Sequence, residues 1–158
     1  GWRERLRLWV RHLLLCQAVA DGLEMPDGRQ VVAASRCIGP DGSFGFCPVE
    51  QAGAVLAGLL ALYRAGLCRP SAFVPPVAWA WWEADPSAKP GRALAAAMQK
   101  WNGDDYGKAY AHADDPWYRV ACGGALPAAD DWQAAARAVF GPMRAHETGE
   151  AGAAEEAP

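Results

Sequence analysis

Hydrophobic residues recur every three or four positions in the first part of the chain, which is the spacing of an amphipathic helix. The pattern predicts a first helix over residues 2–20, with apolar positions at Trp2, Leu6, Trp9 and Leu13. Leu14 and Leu15 widen this apolar face, so we expect the far end of the helix to be enclosed on most sides. Asp21-Gly22 follows, and a glycine there is typical of a left-handed helix cap.

Short β-prone segments flank a turn signal in the next part of the chain. Residues 30–38 and 43–49 lie on either side of Gly39-Pro40-Asp41-Gly42, where proline in second place and glycine in fourth suit a type I turn. Pro26-Asp27-Gly28 marks an earlier turn of the same kind. The sequence therefore predicts a small antiparallel sheet of at least two strands.

Three further helices are predicted downstream. The second covers residues 50–65 and ends at a Gly66 cap before Pro70. Its predicted apolar face consists of Val55, Leu56, Leu59, Leu60, Leu62 and Tyr63. The third covers residues 91–101, and the last begins with a cap at Asp130 or Asp131, with irregular structure expected over residues 102–129. Helices combined with a small antiparallel sheet indicate the α+β class.

Composition limits the size of the core. The 158-residue chain is 52% hydrophobic with a net charge of −3, but much of that share is alanine, and Ile38 is the single isoleucine. Eight tryptophans supply part of the missing volume. We expect one folded domain over residues 1–146 and an acidic, disordered tail over residues 147–158. No apolar run reaches about 18 residues, which argues against a membrane span, and Gly1 in place of Met suggests a piece of a longer polypeptide.

The charges are unevenly distributed along the chain. Arg3, Arg7 and Arg11 occupy every fourth position of the first predicted helix, whereas the last dozen residues hold four glutamates and no base. A stripe of arginines on one helix face is suited to contact with nucleic acid, so these three are candidate DNA-binding residues. A solvated helix face without a partner is the alternative.

Five cysteines and three histidines are spread along the sequence. No Cys-x-x-Cys pair or Cys/His cluster occurs, so we expect no metal site. Reduced, mostly buried cysteines fit a cytoplasmic protein. His12 lies on a mostly apolar helix and is expected to be packed or on the polar face, while His112, close to Asp114 in a loop, could act as a base.

Paired aspartates and a group of tryptophans could also carry function. Asp104-Asp105, Asp114-Asp115 and Asp130-Asp131 could offer carboxylates to Mg²⁺, although turns and helix caps use the same residues. Trp79, Trp81 and Trp82 could stack on single-stranded DNA, complete a core short of leucine, or form a partner interface. Three tryptophans in four positions cannot all point one way, so at least one is expected to face outward or to contact another chain.

Several blocks of the sequence, taken together, resemble one family. Trp9-Val10-Arg11-His12-Leu13-Leu14-Leu15-Cys16 is similar to the helix that opens the C-terminal domain of RecC, the gamma subunit of the bacterial exodeoxyribonuclease V (RecBCD). The resemblance continues through residues 54–70, residues 73–81 and Trp101, and it includes residues 138–143. The order and spacing of these blocks agree from about residue 2 to residue 145.

The resemblance implies a domain related to the PD-(D/E)xK nuclease fold, a small β-sheet flanked by helices, whose active site is degenerate. The sequence contains no acid-x-Lys triplet, which the active fold uses to hold its metal and activate water. The family implies a scaffold without a cofactor or an enzymatic activity of its own, since the motors and the nuclease lie in other subunits. Its partners would be RecB, RecD, the rest of RecC, double-stranded DNA ends and unwound single strands, in double-strand-break repair and homologous recombination.

Two other functions stay open. An active metal-dependent nuclease would draw its carboxylates from Asp104, Asp105, Asp114 and Asp115. An independent protein-interaction module would have no role on DNA. Metal-dependent cleavage would favour the nuclease, and salt-dependent binding to forked DNA would count against the interaction module.

Overall fold

The computed structural model describes residues 1–39, 42–104 and 110–149. These residues form six α-helices and one three-stranded antiparallel sheet, so the predicted α+β class is confirmed. In chain order the elements are α1 (Trp2–Ala20), β1 (Ser35–Gly39), β2 (Gly42–Phe46), α2 (Ala52–Cys68), α3 (Pro75–Glu83), α4 (Pro90–Asn102), a 3-10 turn (His112–Asp114), α5 (Pro116–Cys122), α6 (Ala129–His146) and β3 (Glu147–Thr148). The chain divides into two compact units, a first unit of residues 1–60 with the segment from Pro142 onward, and a second unit of residues 61–141.

The first unit packs α1 with the sheet, whose strand order is β1-β2-β3. Helix α1 buries Trp9, His12, Leu13 and Cys16, which lie on one face because they follow the helical period. The Trp9 ring lies 5.0 Å from the ring of Phe46 on β2, and both side chains are almost fully buried. The core of the first unit is therefore aromatic, with one histidine inside it.

The second unit has a core of tryptophans and alanines. Helix α3 contributes Trp81, α4 contributes Ala93 and Ala97, and α6 contributes Trp132 and Phe140, all of them buried. Trp81 meets Trp132 edge to face at 5.5 Å, an arrangement that aromatic pairs favour. Alanines on α4 leave room for these large rings, as expected from a composition poor in large aliphatic residues.

Several predicted helix boundaries are confirmed. Helix α1 has the predicted bounds, α4 differs from its prediction by one residue at each end, and α6 begins beside the predicted aspartate caps. The predicted cap at Gly66 is wrong, since α2 continues through Gly66 to Cys68. The helix ends there because Arg69 precedes Pro70, and a residue before proline is disfavoured in helical conformation.

The predicted irregular segment is wrong in part. Helix α5 occupies Pro116–Cys122, with proline in its first turn. Its N-cap is Asp115, whose side chain accepts hydrogen bonds from the backbone amides of Trp117 and Tyr118 at 2.9 and 3.4 Å. Aspartate followed by proline is a start signal for a helix, and the short length of α5 explains why apolar periodicity did not reveal it.

The strands are shorter than predicted. Strand β1 begins at Ser35 and β2 ends at Phe46, and their connecting residues Pro40 and Asp41 lie outside the described residues. The earlier turn is present, with Gly28 at φ 79° and an isolated bridge between Glu24 and Gln30. No helix within the described ranges combines the length and apolar character that crossing a membrane requires.

The third strand begins where the tail was expected. Glu147 pairs with Phe46 and Thr148 with Gly45, so both residues extend the sheet beyond the predicted boundary at residue 146. Residues 150–158, the rest of the predicted tail, lie outside the described residues. Strand pairing, unlike a helix, needs a partner distant in sequence, and two residues are too few to show a β pattern.

Candidate functional site

The arginines of α1 separate into two groups by the side of the helix on which they lie. Arg3, Arg7 and Arg11, which we call the arginine row, are exposed and follow each other at one-turn spacing over about 12 Å. Within the described part of the chain none of the three forms an ion pair, although the Arg3 guanidinium lies 5.1 Å from the Trp2 ring centre. The row therefore offers three cations to solvent or to a partner.

Arg5 points to a different environment. Its guanidinium donates to Glu147 at 2.9 Å and lies 4.6 Å from the ring centre of Phe44. Arg144 also contacts Glu147 at 2.9 Å, and the Glu147 side chain is only 6% exposed. These contacts link α1 and α6 to β3 in the first unit, so Arg5 has a structural role that the row does not share.

The tryptophan group lies mainly inside the second unit. Trp81 is buried, with Trp132 against its edge and the Arg137 guanidinium 4.9 Å from its ring centre. Trp79 and Trp82 are half-buried, with ring centres 5.2 and 6.3 Å from that of Phe140. Most of the group's surface thus serves the core, and whether the remainder contacts a partner stays a prediction.

A strongly exposed tryptophan occurs elsewhere. Trp117, in the first turn of α5, is 82% exposed. Sequence reasoning missed this residue because its helix was predicted as irregular structure, and apolar periodicity could not place it on a surface.

The candidate carboxylates are engaged mainly in local structure. Asp115 caps α5 and also accepts a hydrogen bond from the Tyr110 hydroxyl at 3.0 Å. Partial burial alone would raise the pKa of Asp115, but hydrogen bonds from Trp117, Tyr110 and Tyr118 bring it below the ordinary value. Asp130 and Asp131 lie in the first turn of α6, where the negative charge of a carboxylate interacts favourably with the helix dipole.

Two of the other three acids of the alternative nuclease site lie among the described residues. Asp114 is exposed in the 3-10 turn, Asp104 is half-buried after α4, and Asp105 lies outside the described residues. Across the described ranges, no three side chains of the His, Cys, Asp or Glu type come together in a group that could hold a metal ion.

His12 is packed in the core, as one of the two sequence interpretations predicts. Its Nδ1 lies 3.0 Å from the Ser35 hydroxyl and its Nε2 lies 2.8 Å from the Cys47 carbonyl oxygen. Because a carbonyl can only accept, Nε2 carries the proton, and Nδ1 accepts from Ser35. Burial lowers the pKa of His12, the hydrogen bond to Cys47 opposes this, and the nearby His146 adds to the lowering. A neutral His12 therefore holds α1 to the sheet.

The cysteines are free and less buried than predicted. Only Cys16 is buried, Cys68 is exposed, and Cys37, Cys47 and Cys122 are half-buried. Burial raises the pKa of the Cys122 thiol, which keeps it protonated at neutral pH.

Helix α2 buries little of its surface. Of its 17 residues only Ala52 is buried. Leu60, Tyr63 and Leu67 are 54%, 65% and 69% exposed and share one helix face at i, i+3 and i+7, and we call them the α2 stripe. Of the apolar face predicted from the sequence, Val55, Leu56 and Leu59 are half-buried, whereas Leu60, Leu62 and Tyr63 are exposed.

The fold defines a small α+β domain, and a comparison with protein families identifies which one. Residues 1–86 match the model of the RecC C-terminal domain, so the match covers more than half of the 158 residues. The chain belongs to the RecC C-terminal domain family. No curated protein matches the chain.

Membership in this family agrees with the resemblance found in the sequence. RecC is a subunit of RecBCD, a complex whose catalytic activities lie in other subunits, so the family connects this domain with that complex. The matched segment contains α1, the first two strands, α2 and α3. It therefore includes the arginine row, the α2 stripe and the tryptophan group.

Proposed function

We propose that this chain is a non-catalytic scaffold domain of a RecC-type subunit, and that it helps to assemble RecBCD and to guide DNA strands during double-strand-break repair. The observation that carries this proposal is the exposed apolar surface of α2. Family membership supports a place for this domain in the RecBCD complex. The exposure and contacts of the described residues support particular surfaces for binding the partners.

The α2 stripe is suited to a protein partner. Helix α2 is about 25 Å long, and Arg64 is its single charged residue. A helix that is apolar on all sides is normally buried, and large apolar patches on soluble proteins usually mark interfaces. We propose that RecB, RecD or another part of RecC covers this helix in the cytoplasmic complex, with the half-buried Trp79 and Trp82 as a smaller additional contact.

The arginine row is suited to the DNA backbone. Its three guanidiniums lie along one exposed helix face and form no ion pair among the described residues, and arginine binds phosphate through charge and paired hydrogen bonds. Phosphate contacts position a protein without reading sequence, which is appropriate for guiding strands of any sequence.

The absence of catalysis is part of the proposal. We propose descent from the PD-(D/E)xK fold with loss of its active site, and the lack of any acid-x-Lys triplet in the sequence supports it. The use of Asp115 as a helix cap supports it further, because those hydrogen bonds occupy lone pairs that a metal would need.

The first test is assembly of the complex. Tyr63→Glu with Leu67→Glu in the full-length RecC-type subunit places two charges on the α2 stripe, and we expect recovery of the intact complex with RecB and RecD to fall at least about tenfold. Val120→Glu, which charges an exposed apolar residue on α5, is the matched control and should assemble normally. Normal assembly of the double variant would contradict the scaffold proposal.

The second test is binding to forked DNA as a function of salt. Replacing Arg3, Arg7 and Arg11 with glutamine should weaken binding and reduce the slope of log K against log salt by about two to three, near 0.9 for each lost phosphate contact. Replacing Arg29, Arg36 and Arg119 with glutamine removes equal charge from exposed positions elsewhere and should have a smaller effect. Equal effects of the two triple variants would contradict the proposal that the arginine row binds DNA.

The third test addresses catalysis directly. DNA is incubated with the chain and Mg²⁺ or Mn²⁺, and we expect no cleavage above the level of an Asp114→Asn variant. Metal-dependent cleavage that this substitution abolishes would overturn the non-catalytic assignment and favour a nuclease.

A further inference from the structure

Strand β3 brings the end of the described chain beside helix α1, the helix that carries the arginine row. The Glu147 carboxylate on β3 accepts a hydrogen bond from the Arg5 guanidinium at 2.9 Å. Thr148 pairs with Gly45, and the ring of Phe44, the neighbouring residue on β2, lies 4.6 Å from the same guanidinium. The chain therefore remains next to the N-terminal half of α1 up to the last paired residue of β3.

The residues that follow β3 are acidic, whereas the exposed side of α1 is basic. Residues 150–158, which we call the acidic segment, contain Glu150, Glu155 and Glu156 and no basic residue. They lie outside the described residues. Glu4 is the one acid among the 19 residues of α1, so the exposed side of this helix keeps a net positive charge. The acidic segment and the arginine row are therefore complementary in charge.

The acidic segment is long enough to reach the arginine row. Arg5 and Arg7 are separated by about 200° around α1, so the row lies on nearly the opposite side of the helix from Arg5. Passing around a helix of about 10–12 Å diameter requires about 16–19 Å of chain. An extended chain covers about 3.3–3.6 Å per residue, so Glu155 can lie up to about 25 Å from Thr148. Glu155 and Glu156 are therefore within reach of the row.

Two other exposed arginines of the first unit already have a carboxylate partner. Arg29 pairs with Asp27 at 2.7 Å, and Arg144 pairs with Glu147 at 2.9 Å. The three arginines of the row form no ion pair within the described ranges, and they follow each other over about 12 Å. A tethered segment has a high effective concentration at a site on its own chain, which favours this contact over binding of an independent anionic partner.

We propose that the acidic segment lies on the arginine row, with Glu155 and Glu156 paired to its guanidiniums, and that it competes there with the DNA backbone. A carboxylate and a phosphate accept the same paired hydrogen bonds from arginine, so one anion excludes the other. The segment thereby lowers the affinity of the row for DNA, because a strand has to displace it. This inference rests on the proposed DNA-binding function of the row and adds its regulation, an autoinhibitory contact within the chain.

The contact itself is tested in the whole chain without DNA. Arg7→Lys keeps the positive charge of the row and introduces an amine that a carbodiimide can join to a nearby carboxylate. We expect a cross-link from position 7 to Glu155 or Glu156 within one chain, identified by peptide mass spectrometry. Arg36→Lys, at an exposed position on β1, is the matched control and should give far less of this product.

Three results of the cross-linking experiment would overturn the proposal. The first is the absence of the cross-link from position 7. The second is equal yields for the Arg7→Lys and Arg36→Lys variants, which would show that the segment has no preferred site. The third is a cross-link found only in dimers, which would show that the segment covers the row of a second copy of the chain.

The competition is tested by binding to forked DNA at low salt. Glu155→Gln with Glu156→Gln should bind forked DNA at least about twofold more tightly, the lower end expected from the loss of two exposed ion pairs. This gain should shrink as salt is raised, because exposed charges are screened. Glu24→Gln with Glu50→Gln removes equal charge from exposed positions of the first unit and should change binding less. Unchanged affinity of the first double variant would overturn the proposal.

A combined variant separates the contact from a general effect of charge. When Arg3, Arg7 and Arg11 are replaced with glutamine, the change at Glu155 and Glu156 should have no further effect on DNA binding, because the segment has lost its site. An equal gain with and without the arginines would show general repulsion between the segment and DNA, and would contradict the proposal.

Failure of this inference is distinguishable from failure of the proposed function. If the glutamine variant of the arginine row binds forked DNA normally, the DNA-binding role of the row is wrong and the competition falls with it. If that variant loses DNA binding while Glu155→Gln with Glu156→Gln gains none, the row binds DNA and only the autoinhibitory contact is wrong.

Discussion

Helices α1 and α2 both place apolar residues at helical spacing, but they differ in how far their apolar faces are buried. Helix α1 buries Trp9 and Leu13 in the first unit, whereas the α2 stripe remains open. The difference is not one of hydrophobicity, since α1 carries several arginines and α2 carries one charge. Apolar spacing shows which face of a helix needs cover, and the partner that provides the cover has to be found in the tertiary structure or in another chain.

The largest expected contrast is in core truncation. Leu13→Ala removes a fully buried side chain and should lower the free energy of unfolding by about 2–5 kcal/mol. Leu67→Ala, the same change in the α2 stripe, should change it by less than about 0.5 kcal/mol because the side chain already contacts water. Urea denaturation of both variants measures the difference. Similar losses would show that α2 is packed within this chain, and the comparison would fail.

A smaller effect is expected at the ion pairs of Glu147. Glu147→Gln keeps the side-chain shape but removes the charge facing Arg5 and Arg144, and should cost about 1–2 kcal/mol. Loss of one partner of a fully buried pair costs about 3–5 kcal/mol, and here both arginines retain contact with solvent. Asp27→Asn, whose pair with Arg29 is exposed, is the control and should cost under about 1 kcal/mol. Equal losses in the free energy of unfolding for the two variants would show that the burial of Glu147 does not strengthen its ion pairs.

The buried His12 makes the first unit sensitive to acid in a way that α2 is not. Its pKa is lower in the folded chain than in the unfolded chain, so the unfolded chain binds more protons in the interval between the two values. Stability from a neutral His12 is therefore complete above about pH 6.5, the ordinary histidine value, and is lost as the pH falls toward the lower folded pKa.

This pH dependence is measurable as a fall in melting temperature between about pH 7 and pH 5.5, and His12→Asn should reduce its slope. His112, whose pKa is lowered by burial and by Lys100, contributes in the same direction, and His112→Asn isolates its part. His146 faces His12 and belongs in the same series of variants. A slope that His12→Asn leaves unchanged would contradict the buried, neutral state of this histidine.

The smallest prediction concerns a glycine of α2. A Cβ at Gly58 would meet no atom within 4 Å, so Gly58→Ala should stabilise the chain by about 0.5–1 kcal/mol through helix propensity. Gly45→Ala provides the contrast, because its Cβ would lie 2.5 Å from the Ser35 carbonyl oxygen on the adjacent strand. That variant should be destabilised. A loss of stability in Gly58→Ala would indicate that another part of the chain approaches α2 closely.

The sequence by itself determined the local features: the bounds of α1 and the start of α6, the α+β class, the turn at Gly28 and the RecC resemblance that the family match confirms. These follow from periodicity, caps and ordered blocks of residues, all readable over short stretches. Only the tertiary structure decided that Trp81 lies in a core, that Glu147 joins the sheet and that the α2 stripe is exposed. Burial depends on contacts between residues far apart along the chain, and a hydrophobic pattern contains no information about which distant element will supply them.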